Sequence, residues 1–118
     1  MQYLLMIYGD EAAMHGITPE EGKKLGEAYA RFTQDIVQSG HLKGGDQLKP
    51  SNTATTIRRG NGKSLMTDGP FAETREQLAG YYIVETGDLD EAIAIADRIP
   101  FTNGAVEVRP INTMARLY

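Results

Sequence analysis

The segment Gln2-Tyr3-Leu4-Leu5-Met6-Ile7-Tyr8 is apolar at both its odd and its even positions. Successive side chains of a strand point to opposite faces, so such a run is stable only where both faces are covered. It predicts a central strand with a layer on each side. At 118 residues the chain fits one domain, spanning 1–118, with material for one of those layers.

The helices that build that layer are written plainly. Thr18-Pro19-Glu20-Glu21 is a helix start: the Thr18 hydroxyl can accept from the Glu21 amide, and Pro19 suits the first helical position. Leu25, Tyr29, Phe32 and Ile36, with Ala28 and Val37 alongside, form one stripe of a helix that runs to about Ser39 and stops at Gly40. Asp88-Leu89-Asp90-Glu91 opens a second helix, with Leu89, Ala92, Ile93, Ala96 and Ile99 on its buried side and Pro100 ending it.

Between the helices, residues 41–48 read as a weak strand interrupted by Gly44-Gly45. Residues 53–59 and 63–67 flank Gly60-Asn61-Gly62 as a hairpin whose turn needs positive backbone angles. Residues 73–78 read as a short polar turn with helical character, and residues 80–86 as another strand. Val106 and Val108 alternate with Glu107 and Arg109 in a closing strand. Without the hairpin the order is βαββαβ, so the expected class is α+β, ferredoxin-like, with both helices on one face of an antiparallel sheet and an inserted β-hairpin. The face left open predicts a homodimer.

Composition removes several functions. A net charge of −4, with cations scattered apart from Lys23-Lys24 and Arg58-Arg59, offers no stripe for a phosphate backbone, so no nucleic-acid partner is expected. The apolar run at 3–8 is too short for a bilayer and lacks the pattern of a secretory leader, which predicts a cytoplasmic protein without a membrane partner. The absence of cysteine excludes disulfides and thiolate chemistry. His15 and His41 stand 26 residues apart and outside any ligand spacing, so no metal is expected. No glycine pattern fits a phosphate loop or a dinucleotide fold, no serine sits in a nucleophile elbow, and no cofactor is expected.

The candidate chemistry centres on Asp68-Gly69-Pro70-Phe71. As structure this is a sharp turn with Phe71 plugging a core. As a site it is an acid beside an aromatic residue, where partial desolvation raises a carboxyl pKa and suits Asp68 to proton transfer. His41, five residues before Asp46, is the other candidate acid or base. Phe71, Glu73 and Arg75 are candidate ligand contacts, Arg75 for an anionic group; Glu73 and Arg75 also fit a solvated surface pair. Tyr29, Tyr81 and Tyr82 read first as core or interface aromatics, with a hydroxyl available to a cleft.

Residues 1–11, 53–85 and 88–100 and the strand around Val106–Ile111, read in order, resemble the YCII-related proteins of the DGPF subgroup, and Asp68 to Thr74 is the most specific element. The resemblance implies a dimeric α+β barrel in which two ferredoxin-like units pack sheet against sheet, in a bacterial cytoplasmic protein. It also implies genes that neighbour those of extracytoplasmic-function sigma factors. Some relatives are similar to a dehydrochlorinase of chlorinated aromatics with a His–Asp acid–base pair; here Asp68 matches the acid, Tyr29 stands at the place of the histidine, and Arg75 stands where lysine is more usual. Two functions follow as expectations. One is a cofactor-free acid–base enzyme using Asp68 on a small molecule, and the other is a non-catalytic binding or regulatory module associated with a sigma factor.

Overall fold

A computed structural model of the chain describes residues 1–113. Strand β1 (Gln2–Gly9) leads through a four-residue helix α1 (Glu11–Met14) to the long helix α2 (Pro19–Gln38) and then to β2 (Leu42–Gln47). A single 3₁₀ turn, Ser51–Thr53, precedes the hairpin β3 (Thr55–Gly60) and β4 (Lys63–Asp68). Strand β5 (Gln77–Glu85), helix α3 (Leu89–Asp97) and strand β6 (Gly104–Pro110) complete the order.

The four long-range strands form one sheet in the order β2-β5-β1-β6, and each neighbouring pair is antiparallel. This is the ferredoxin-like arrangement, with β1 at the centre as its two apolar faces require. Tyr3, Leu5 and Ile7 point to the helices and are buried. They meet Phe32 and Ile36 of α2, Ala92, Ile95 and Ala96 of α3, and Val84 of β5. On the opposite face Leu4, Met6, Tyr81 and Ile83 stand in register and are only half-buried, because no second layer among the described residues reaches them.

The caps explain where the helices begin. Thr18 Oγ1 accepts from the Glu21 amide at 3.1 Å, and Asp88 Oδ1 accepts from the Glu91 amide at 2.9 Å. Asp10 does the same for α1, a helix the sequence reading treated as loop; at four residues it has no apolar stripe to reveal it. The polar segment expected to turn helically at 73–78 instead runs into β5 at Gln77, because the Gln77 side chain accepts from the Glu11 amide and fixes the chain as strand. The α3 stripe also shifts: Ala92, Ile95, Ala96 and Ile99 are buried, whereas Leu89 and Ile93 are exposed. Val37 of α2 likewise faces water.

The hairpin β3–β4 is a separate two-stranded sheet, and none of its residues is buried. Asn61 at φ 51° and Gly62 at φ 76° make the tight turn. With this arm the molecule measures 47 × 43 × 17 Å, one sheet and one helix layer thick, and its radius of gyration is 16.3 Å. A compact chain of this length has about 13–14 Å.

Candidate functional site

A partly enclosed cleft lies under the first half of α2, and its cause is the helix sequence. Gly22, Gly26, Ala30 and Thr33 follow each other at steps of four, four and three and so form one stripe of small side chains. Along that stripe the helix leaves a cleft of about 580 Å³ above β1, β2 and β5, closed at its ends by residues 9–17 and by Phe101, Thr102 and Asn103. Leu25 and Tyr29 border it and stay half-buried, while Phe32 and Ile36 in the second half pack fully.

The floor is set by Tyr82. Its ring meets Phe32 edge-on, with centroids 5.3 Å apart and planes at 71°, and its hydroxyl lies 2.7 Å from Thr33 Oγ1. Gly45 on the adjacent strand makes this geometry available. A Cβ there would stand 2.7 Å from the Tyr81 carbonyl oxygen and 3.0 Å from Tyr82 Cδ1, so any side chain displaces the ring. Above it, Tyr29 is held above its ordinary pKa of 10.0, first by burial and then by the neighbouring Tyr82 phenol. Tyr29 is therefore neutral and a hydrogen-bond donor at neutral pH. Among the described residues its hydroxyl has no hydrogen-bond partner, which leaves it for a guest.

The lining contains no Lys, Arg or His. Its two acids are occupied elsewhere. Asp10 Oδ1 accepts from the amides of Ala12 at 3.0 Å and Ala13 at 3.3 Å. Asp46 accepts from the Tyr81 hydroxyl at 2.9 Å, and this bond, the largest cause, raises the exposed Tyr81 phenol above 10.0. Tyr81 alternates with Tyr82 and so looks to the open face of the sheet; Asp46, bonded to it, faces the same way. The cleft is thus largely apolar and aromatic; its lining includes Asp10 and Asp46, with oxygens engaged by amides and by Tyr81, and no cation.

Of the candidate residues singled out in the sequence, Tyr29, Tyr81 and Tyr82 line the cleft, whereas Asp68, His41, Phe71, Glu73 and Arg75 do not. Asp68 ends β4 and is exposed on the arm, so within one copy of the chain its carboxyl does not have the partial desolvation expected of it. The reason is tertiary: among the described residues the arm packs on no layer of its own chain, and its acid gains no shelter. Phe71 is 73% exposed and plugs no core. Its carbonyl accepts from Arg58 Nη2 at 2.5 Å, and Gly69, at φ 98°, donates to the Ala54 carbonyl. Glu73 is exposed, and Arg75 Nε lies 3.8 Å from Asp10 Oδ2 with its side chain almost wholly in water, where such a pair is weak. His41 stands by α3, its Nδ1 2.7 Å from Ser39 Oγ and its Nε2 3.4 Å from a Glu91 oxygen. His41 and Asp68 therefore belong to different regions, and neither borders the cleft.

Sequence reasoning passed over Gly22, Gly26, Ala30, Thr33 and Gly45. The available signal was two glycines inside an otherwise well-formed helix, each costing helix stability and each aligned with Ala30 and Thr33. Among the described residues no three His, Cys, Asp or Glu side chains gather where they could hold a metal ion. No helix among them is long and apolar enough to cross a membrane.

Comparison with known proteins places the chain in a family. The model of the YCII-related domain matches residues 1–115. An uncharacterized protein of Rhizobium meliloti (strain 1021) is 34% identical over 114 residues, which cover 94% of this chain and 92% of that protein.

Proposed function

We propose, from the premise that this chain belongs to the YCII-related family, that it binds one small, uncharged, largely aromatic molecule in the cleft under α2. The observation that carries this reading is a cleft of about 580 Å³, the size range of ligand pockets, whose lining has no cation. An anion entering it would lose hydration without meeting a counter-charge, so the anionic class considered for Arg75 is disfavoured. A neutral ring gains apolar contact with Ile7, Leu25 and Phe101, and a carbonyl or hydroxyl on it accepts from Tyr29.

The role is binding rather than proton transfer. Tyr29 holds its proton at neutral pH, and the two acid–base candidates, Asp68 and His41, lie outside the cleft. The working unit is a homodimer. The open sheet face presents Leu4, Met6, Tyr81 and Ile83, and a second copy related by a two-fold axis covers it with the same residues.

Acetophenone and benzoate, matched in size and differing in charge, test the reading by thermal shift. Acetophenone is expected to raise the melting temperature in proportion to the logarithm of its concentration, and benzoate to leave it unchanged. Removal of the Tyr29 hydroxyl in Tyr29→Phe should weaken acetophenone by up to about tenfold. Benzoate binding as tightly as acetophenone would refute the uncharged class.

A further inference from the structure

The arm, like the open face of the sheet, has a sequence written for burial that the structure leaves bare. In β3–β4 the cross-strand pair Ile57–Met66 stands on one face, 56% and 69% exposed, and Leu65 stands on the other at 64%. Phe71, at the root of the arm, is 73% exposed. A ribbon of two strands is marginal in water by itself, and a solvated ribbon keeps at least one face polar. This one carries large apolar side chains on both.

Its charge is as distinctive as its apolarity. Residues 55–68 hold Arg58, Arg59, Lys63 and a single acid, Asp68, a net charge of +2 in a chain whose total is −4; the remaining residues together carry −6. Arm and body of one molecule are therefore opposite in sign. On the open face of the sheet Asp46, Glu85 and Glu107 border the apolar centre; Glu85 is paired with the Met1 ammonium at 3.1 Å and Glu107 with Arg109 at 2.7 Å. Asp46, on the edge strand β2, has a phenol rather than a cation for a partner.

We infer that the arm is an intermolecular element: in a pair of copies, each arm lies along the border of the other subunit, burying Ile57 and Met66 and bringing its cations toward Asp46 on the other subunit's edge strand β2. A second copy is the occupant because each copy offers both halves of the match, an apolar cationic ribbon and a body of net negative charge, which a two-fold axis satisfies twice. The inference rests on the two-copy reading above and adds to it the part of the chain that completes the contact.

The test is the dissociation constant of the dimer, measured on the whole chain by light scattering and sedimentation at two salt concentrations. Ile57→Thr/Met66→Thr keeps strand propensity and alters no buried residue, so it should fold with unchanged circular dichroism and raise the dissociation constant at least about tenfold. Arg59→Gln/Lys63→Gln should weaken the dimer less and flatten its salt dependence. A wild-type dimer whose affinity is untouched by both double variants would overturn the arm inference and leave the two-copy reading intact. A wild-type monomer at micromolar concentration would overturn both.

Discussion

Replacing Gly26 by leucine separates the cleft from the fold around it. Gly26 is the eighth of twenty residues in α2, well inside the helix, where glycine is about 0.8–1.0 kcal/mol less favourable than alanine and leucine is close to alanine. A Cβ built there meets no atom within 4 Å, so the substitution meets no obstacle at its base, and the residue belongs to the cleft lining. The net gain is about 0.7 kcal/mol. For a domain of this size the unfolding entropy corresponds to about 0.25 kcal/mol per degree, so the melting temperature should rise by about 3 °C. The same four carbon atoms occupy the space under α2, and the acetophenone shift should vanish. Differential scanning calorimetry with and without the ligand reads both quantities. A fall in melting temperature would mean that the stripe is packed and no cleft exists; a rise with an unchanged ligand shift would place the ligand elsewhere.

Gly45→Ala should do the reverse, costing about 1–3 kcal/mol because its methyl displaces the Tyr82 ring and strains the bond to Thr33, with denaturant titration as the measure. Gly62→Ala places a side chain at φ 76° and should cost about 1 kcal/mol, accelerating amide exchange within the arm about fivefold while leaving exchange in β1 unaltered. The Tyr29 pKa, raised in the folded chain relative to the unfolded one, means that the native state keeps the Tyr29 proton longer. Its contribution to stability is therefore complete below pH 10 and declines as pH climbs through the higher folded value, and a Tyr29→Phe variant should show a shallower alkaline decline in a melting-temperature profile.

Much of the architecture was legible because it depends on local pattern. Thr18 and Asp88 occupy the caps anticipated for them, Asn61-Gly62 makes its turn, and the doubly apolar β1 lies at the centre of the sheet. The errors fall where the deciding partner is distant in sequence. Leu89 and Ile93 have the right period for a core stripe, yet in the packed chain Ile95 is buried and they are exposed. Gln77 reads as a turn residue until Glu11, 66 positions earlier, gives it a bond.

The candidate site illustrates the same division more sharply. The sequence by itself determined a ferredoxin-like sheet with one helix-covered face, and it determined that Tyr29 lies on the inner side of α2, since both follow from periodicity and capping. Tertiary structure alone decided that the Asp68 turn rides on an exposed arm, that small residues in α2 stand over Gly45 and Tyr82, and that the space between them is lined by no cation. A cavity is the volume that several segments fail to fill. Its existence depends on their relative placement, which no single stretch of residues encodes.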